Sequence, residues 1–356
     1  MNSILGFNPA SLSVFSQPEA KPSGFSNNIY KPKPAESKST DGVYRSTIRV
    51  VYSPFNIERS ILERQSYAMT DANGFFQVVS KLTNNDTSCP IFNAWKKCRY
   101  SKNPALQAQA NTKDKGGNEM FDKRFERYVT VQVMEDQNHP ELVGQYMFWK
   151  LPKSVYDAII AKMNPASESN KAPIPVMDVL FGRAVYLEVK PGPDDPKAPE
   201  RKTREISYNT TDVSDDILSC TNPDGSALLT AEEQAILDKY IEMMQPAWKS
   251  RNPDQRKEIF EKVSADPNTA QLGEIYTKVI EKLKTFCPDL VEELGYKDWT
   301  PEVTERVNNW ITAVLNCQNP ASVIPVAEPV AQTAAPAPVP PLEGTAPAAP
   351  ADDLPF

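Results

Sequence analysis

Proline is distributed very unevenly along this chain, and that distribution limits where a fold can form. Many of the 33 prolines lie before residue 40 or after residue 318 of the 356 residues. Proline lacks a backbone N–H, and segments dominated by proline and small or polar residues cannot bury enough apolar surface to build a core. We therefore predict a disordered N-terminal arm over residues 1–40 and a flexible Pro/Ala-rich tether over residues 319–356.

Charge is distributed unevenly as well. The formal net charge is −7, but residues 42–165 contain 17 Lys and Arg against 12 Asp and Glu. That stretch therefore carries a net charge of +5, and the rest of the chain carries −12. A mildly basic module with acidic surroundings is typical of a protein that binds polyanions and carries an acidic tail.

The cysteines and the apolar runs indicate the compartment. An odd number of irregularly spaced cysteines argues against a secreted disulfide framework. The chain shows no basic-then-apolar leader and no uncharged apolar run of about 20 residues, the length that spans a bilayer. We expect a cytoplasmic protein with no membrane partner. The five cysteines are Cys89, Cys98, Cys220, Cys287 and Cys317.

Residues 41–216 have the pattern of a small β-barrel. Residues 44–52 alternate and are rich in β-branched side chains, and the turn sequence Asp71-Ala-Asn-Gly74 separates two further short strands. Strands are predicted over residues 44–52, 66–69, 75–82, 125–135, 146–151 and 184–189, and a helix over residues 152–163. Five or six strands with one interposed helix favour an oligonucleotide-binding (OB) barrel, although other small barrels share this make-up.

The chain becomes helical after residue 226. Thr230-Ala-Glu-Glu233 has the form of a capping box before an apolar, helix-spaced run. Further helices are predicted near residues 253–263, 269–286, 288–294 and 301–315. We therefore predict an α+β fold in which a small α-helical domain over residues 226–318 follows the OB-fold core over residues 41–216.

Basic and aromatic residues are concentrated in two segments of the predicted barrel, the strand start Lys123-Arg-Phe-Glu-Arg-Tyr128 and the loop at residues 96–102. Lys and Arg neutralise phosphates, and aromatic rings stack on exposed bases. The mixture is typical of proteins that bind single-stranded nucleic acid. The candidate nucleic-acid-binding residues are Lys96, Lys97, Arg99, Tyr100, Lys102, Lys123, Arg124, Arg127, Tyr128, Trp149, Lys150, Lys153 and Tyr208.

Two alternatives accompany this interpretation. Tyr128 and Trp149 could equally be aromatic residues of the barrel core, with the charges forming a solvated face. Catalysis has little support, because His139 is the only histidine and no Gly-Lys-Ser/Thr phosphate loop is present. We expect neither an enzyme nor a cofactor.

Motifs within residues 44–208 resemble the core of the T-even-type phage single-stranded DNA-binding (helix-destabilising) proteins. The segments that carry the resemblance are Ser88-Cys-Pro-Ile-Phe92, Lys123-Arg-Phe-Glu-Arg-Tyr128, Val131-Gln-Val-Met-Glu-Asp136, His139-Pro-Glu with Gly144, and Phe148-Trp-Lys-Leu-Pro-Lys-Ser-Val-Tyr-Asp157. The resemblance implies an OB barrel. It also implies a DNA cleft lined by Arg124, Arg127, Tyr128, Trp149 and Lys150.

The chain departs from this family at the metal site. The family has a structural zinc subdomain with a Ser-Cys-Pro-x-Cys segment, and here Phe92 stands at the second cysteine position. Structural zinc takes four N or S ligands as a rule, and Cys89 with Cys98 supplies only two. We expect no metal site and expect Phe92 to pack as a core residue. The family's basic N-terminal arm has only a faint counterpart in Lys38-Ser39-Thr40.

The terminal residues resemble the acidic tail of bacterial single-stranded DNA-binding proteins, which ends in an Asp-rich run, an apolar residue, Pro and Phe. An apolar ring can fill a partner's pocket while carboxylates meet a basic rim. A solvated terminus without function is the alternative. The candidate partner-binding residues, which we call the tip, are Asp352, Asp353, Leu354, Pro355 and Phe356.

Together these features predict a phage-type protein of DNA replication, recombination and repair that coats single-stranded DNA without sequence specificity. The tip would recruit a polymerase, helicase, primase or recombinase in the cytoplasm of the host cell. The alternatives are a non-enzymatic interaction or structural protein docked through its acidic tail, and an RNA-binding regulator.

Overall fold

The structure, a computed structural model, is mixed α+β. It describes residues 28–112, 120–166, 169–191, 206–208 and 212–322. The first 27 residues of the predicted arm lie outside the described residues. So do residues 323–356, which hold most of the predicted tether and the whole tip.

The predicted strands are confirmed with shifted ends, and three short strands were not predicted. The strands are β1 (Ile29–Tyr30), β2 (Tyr44–Val51), β3 (Ile61–Asp71), β4 (Gly74–Val79), β5 (Asp122–Asp136), β6 (Tyr146–Lys150), β7 (Arg183–Pro191), β8 (Ile206–Ser207) and β9 (Asp212–Ile217). The unpredicted ones are β1, β8 and β9. The sequence of β9 is polar and acidic, so it has no local pattern typical of a strand.

The helices are α1 (Pro90–Arg99), α2 (Pro104–Gln109), α3 (Lys153–Met163), α4 (Ala231–Lys249), α5 (Pro253–Ser264), α6 (Pro267–Phe286), α7 (Leu290–Leu294) and α8 (Pro301–Leu315). Those from α3 onward follow their sequence signals closely, whereas residues 96–99, predicted as part of a loop, form the end of α1. The predicted capping box of α4 is present. The Thr230 hydroxyl accepts from the Glu233 backbone N–H at 3.2 Å, and the Glu233 carboxylate accepts from the Thr230 N–H at 2.9 Å.

The long strand β5 is the centre of the sheet. It pairs antiparallel with β2, β3 and β6, while β2 also pairs with β7 and β3 with β4. Strands β8 and β9 pair with β7, and β1 pairs in parallel with β6. Among the described residues no pairing joins the β1 edge to the β8 and β9 edge, so the sheet is open there.

Alternation along the strands divides the sheet into two faces. One face, here called the inner face, carries a core with Val129, Val131 and Val133 of β5, all 0% exposed. Helix α3 covers this core through Val155 and Ile159. The opposite, outer face carries the polar but buried Thr130 and Gln132 and is covered by helices from the second half of the chain.

The helices after residue 226 share their cores with the strands. Helices α4, α5 and α6 pack in one cluster with Val51 of β2 and Tyr146 of β6. Helix α7 packs on Leu62 of β3, and α8 joins α1 on the hairpin of β3 and β4. Arg306 of α8 binds the hairpin turn through an ion pair with Asp71 at 2.5 Å. The boundary predicted between residues 216 and 226 therefore does not separate two cores.

Part of the predicted disordered arm is ordered and packed. The Asn28 carbonyl accepts from the Phe148 N–H at 2.7 Å, and Tyr30, 1% exposed, donates to Asp136 at 2.8 Å. Glu36 pairs with His139 at 3.2 Å. The prediction for residues 28–40 was wrong because it relied on proline and serine content. It overlooked that Ile29 and Tyr30 can extend the free edge of β6.

The turn between β5 and β6 needs its glycine. Gly144 has a φ angle of +86°, a region that residues with a Cβ rarely adopt. A Cβ at this position would lie 2.0 Å from the Pro223 carbonyl oxygen. This close approach holds the turn between β5 and β6 against the segment that leads into α4.

Candidate nucleic-acid interface

The inner face of β5 passes from core to surface at its first residues. Lys123, Phe125 and Arg127 share the face of the buried valines, but Lys123 is exposed and Phe125 is 43% exposed. We call these three residues the β5 row. Their register partners on β3 are Tyr67, Gln65 and Glu63 respectively. The row combines two cations with an exposed ring.

Arg127 of the β5 row contacts two aromatic rings. Its guanidinium carbon lies 4.7 Å from the Phe125 ring centroid and 4.4 Å from that of Tyr156 on α3. Its Nε also pairs with Glu63 at 3.1 Å. Cation–π contacts of this kind hold both the rings and the charge in place while leaving ring surface open. Phe125, Arg127 and Tyr156 thus form a preorganised surface on which aromatic rings alternate with a positive charge.

The β5 row lies between two helical layers. At one end, Lys123 lies opposite Tyr67 in the register of β5 and β3. Tyr67 packs in one cluster with Ile91 and Cys98 of α1. At the other end Arg127 contacts α3. The α1 side and the α3 side therefore form the two walls of a strip whose floor is the exposed start of β5.

The outer face of the same segment carries a second cation–aromatic pair. Arg124 lies 5.8 Å from the Phe75 ring centroid, and Phe75 of β4 is 62% exposed. Arg124 also pairs with Asp122 at 3.1 Å. Phe75 on β4 and Arg124 on β5 flank β3 on its two sides, so this pair extends the cationic surface from β5 towards the hairpin.

Lys150 is engaged by a carboxylate. Its Nζ lies 2.5 Å from Glu126, which also accepts from the Tyr128 hydroxyl at 3.0 Å. Burial raises the pKa of Glu126, but the bonds from Lys150 and Tyr128 outweigh it, so the pKa lies below its ordinary value. Lys153 is likewise paired, with Asp157 at 2.5 Å. Both cations are exposed, so solvent screens these pairs.

The predicted basic patch of residues 96–102 lies at the end of α1 and just beyond it. Lys97, Arg99 and Lys102 are exposed, and Arg99 donates to the Asn111 side chain at 3.0 Å. Tyr100 is 76% exposed. Lys96 lies 4.7 Å from the centroid of Phe92, which is half-buried against the α1 and α8 core as predicted.

Two predicted stacking residues are buried, which corrects their assignment. Tyr128 is 6% exposed beneath α7, and Trp149 is 2% exposed in the inner core. The reason is the strand register. Trp149 pairs with Val129 and so faces inward. Tyr208 is half-buried with its ring 6.0 Å from that of Trp149, and burial raises the pKa of its hydroxyl to about 12.

The outer face of β5 and β6 is covered beyond Glu126. Leu290 and Leu294 of α7 pack on Tyr128 and Phe148. Farther along, the Phe286 ring lies 5.1 Å from the ring of Tyr146. These contacts leave the start of β5 as the exposed, cation-rich part of this strand pair.

Sequence reasoning missed three aromatic residues of this surface, namely the exposed Phe75 and Phe125 and the half-buried Tyr156. Phe125 could have been found from the two-residue period of the strand, which sets Lys123, Phe125 and Arg127 on one face and Glu126 with Tyr128 on the other. Tyr156 gave no such signal, because only the packing of α3 brings it to Arg127.

Cys89 and Cys98, the two cysteines considered as metal ligands, lie in the core beside α1. Cys89 and Cys98 are both 0% exposed, and the Cys89 sulfur accepts from the Ser80 hydroxyl at 3.2 Å. In the described ranges no three His, Cys, Asp or Glu side chains come together as a metal site. Burial raises the pKa of the Cys98 thiol, which disfavours the thiolate that metals bind.

Sequence comparisons find no relative of this chain. The chain matches no protein-family model, and no curated protein is significantly similar to it in sequence. None of the helices in the described stretches combines the length and apolarity needed to cross a membrane.

Proposed function

We propose that this protein binds single-stranded DNA without sequence specificity and that the β5 row is the centre of its binding surface. The observation that carries the proposal is Arg127 in contact with the rings of Phe125 and Tyr156 on an exposed strand. Single-stranded nucleic acid offers both phosphates and free base planes. A surface that alternates cations with open rings matches both.

The strand connections support an OB-type barrel. In order, β2, β5, β6, β7 and β9 would be its five strands, with α3 between the third and the fourth. The first strand pairs with the second and the fourth, as the fold requires. OB barrels are often partly open, and β1 occupies the edge of β6 where closure would occur.

The DNA path follows from this assignment. OB folds bind oligonucleotides on the face of strands 2 and 3 and on the loops after strands 1 and 4. Here the first of those loops contains the β3–β4 hairpin and α1, with Phe75, Tyr100 and the basic residues of α1. A strand of DNA on the β5 row would therefore pass Lys153 on the α3 side. It would meet Arg124, which lies on the outer face, around the edge of β5 that β6 leaves unpaired.

The wider role rests on the sequence motifs. We propose the T-even-type phage class for the core, and recruitment of replication, recombination or repair proteins through the tip in the host cytoplasm. Its Asp and Phe side chains supply charge and an apolar anchor for such partners.

The test is a fluorescence-anisotropy titration of the purified chain with labelled oligo-dT at several salt concentrations, with duplex DNA and matched RNA as competitors. If Lys123, Arg124 and Arg127 each neutralise one phosphate, log K should fall against log salt with a slope of about −2. Lys123→Gln should reduce that slope by about 0.7, whereas Lys249→Gln on the exposed side of α4 should not.

The other outcomes separate the alternatives. Absence of binding at low salt would reject the proposal and favour a tail-docked interaction protein. Preferential competition by RNA would favour an RNA-binding regulator, because only contacts to the 2′-hydroxyl distinguish the two at a given site.

A further inference from the structure

A second candidate site lies on the helical side of the molecule, away from the β5 row. A pocket of about 460 Å³ opens between α4, α5 and the segment after α3. Its wall includes Pro173, Met244, Trp248 and Phe260. The size lies within the range of sites that hold small ligands or a few side chains of a peptide. Nothing in the proposed DNA path uses it.

Cations outnumber carboxylates at the rim of this pocket. Arg256 and Lys257 of α5 line it together with one carboxylate, that of Glu261. Lys257 and Glu261 are 3.9 Å apart, and both side chains are at least 70% exposed, so their attraction is weak. Arg256 donates to two backbone carbonyls, and in the described part of the chain it has no carboxylate partner. The rim therefore has positive charge available for an acidic ligand.

We propose that the occupant of this pocket is the tip of the same chain, residues 352–356. Leu354 and Phe356 would enter the apolar wall, and Asp352 with Asp353 would face Arg256 and Lys257. The pairing satisfies both halves of the site, because an apolar ring is buried while the two carboxylates meet two cations. The tip would then occupy this pocket whenever no partner protein binds it.

The length of the intervening chain permits docking within one molecule. The residues between the last described position, Ser322, and Asp352 number 29. Fully extended, they can span at most about 100 Å. A compact domain of about 300 residues has a radius of gyration of only about 19 Å, so every surface lies within reach.

The experiment measures binding of a fluorescein-labelled peptide with the sequence of residues 351–356 to the full-length chain by anisotropy. Leu354→Ser with Phe356→Ser vacates the pocket without shortening the chain. This doubly substituted chain should bind the peptide saturably. With a peptide Kd of about 0.1 mM, the native chain should bind the peptide about tenfold more weakly, because a tethered tip competes at an effective concentration on the order of 1 mM.

The rim is tested by matched charge reversals in the doubly substituted chain. Lys257→Glu should weaken peptide binding at least fivefold. Lys262→Glu should leave it unchanged, because Lys262 is similarly exposed on α5 and also has a carboxylate partner, Glu258 at 2.7 Å, yet does not line the pocket. Circular dichroism should show both variants folded.

Three results would overturn the inference. They are an absence of saturable binding, equal effects of Lys257→Glu and Lys262→Glu, and equal peptide affinity of the native and doubly substituted chains. None of these assays contains DNA. Failure here would therefore leave the proposed DNA-binding function standing, and failure of the oligo-dT titration would leave this inference standing.

Discussion

The two halves of β5 share one strand and one face but have opposite environments. Val129, Val131 and Val133 are fully buried, whereas Phe125 on the same face is 43% exposed. The difference is one of side-chain chemistry and of neighbours. The valines meet α3 and β6, while the β5 row extends past the end of β6 at Lys150. One strand can therefore anchor the fold with one half and present a binding surface with the other.

The largest effect should come from the buried half. Trp149→Ala should destabilise the protein by about 3–5 kcal/mol, because it empties a large volume in the inner core. Urea denaturation measures this loss. Trp149→Phe, which keeps most of the packing, should leave oligo-dT affinity within twofold. A large loss of affinity in a stable Trp149→Phe variant would contradict the division between the two halves.

Arg306→Met tests whether α8 belongs to the same cooperative unit as the strands. Arg306 makes two charged hydrogen bonds to Asp71 and one to the Gly74 carbonyl. Losing them should lower the free energy of unfolding of the whole chain by about 1.5–3 kcal/mol. Two separate unfolding transitions, with the first one shifted alone, would show that α8 unfolds independently of the sheet.

Phe125→Ala sharpens the exposed side of the comparison. Base–aromatic stacking is worth about 1–3 kcal/mol per base, so oligo-dT affinity should fall roughly 5- to 150-fold. Stability should change by no more than about 1 kcal/mol, because the ring is 43% exposed and lies outside the buried core. Tyr186→Ala is the control, since that ring is 46% exposed on β7. Equal losses of affinity in both variants would remove the special role of the β5 row.

The smallest effect concerns the ordered end of the N-terminal segment. Hydrogen bonds that the protonated ring donates to the carboxylates of Glu141 and Glu36 raise the pKa of His139 above its ordinary value, although partial burial lowers it. Its stabilising contribution is therefore complete below about pH 6.5 and is lost as the pH rises through the raised pKa. His139→Gln should remove this pH dependence, which is worth less than about 1 kcal/mol for such exposed pairs.

Denaturation midpoints of the native chain and His139→Gln between pH 5.5 and 8.5 measure that contribution. The difference between the two proteins should shrink as the pH rises. A difference that stays constant over this range would mean that protonated His139 does not hold residues 33–38 to the turn between β5 and β6.

Most elements, though not their assembly, could be predicted from the sequence. The capping box at Thr230 and the alternation of β5 are local signals, and both elements form as predicted. The burial of Trp149 is set by its pairing with Val129, and the contact of Arg127 with Tyr156 by the packing of α3. These are contacts between distant parts of the chain, which no local pattern encodes. For the same reason the sharing of cores between helices and strands was missed.

The most direct test of the central claim is photo-crosslinking of the full chain to oligo-dT that contains 4-thiothymidine, with the attachment sites mapped by mass spectrometry. We predict crosslinks on peptides that contain Phe125, Tyr156 or Phe75, at the exposed start of β5 and beside it. Crosslinks confined to α4 and α5, or attached to Trp149, would contradict the account.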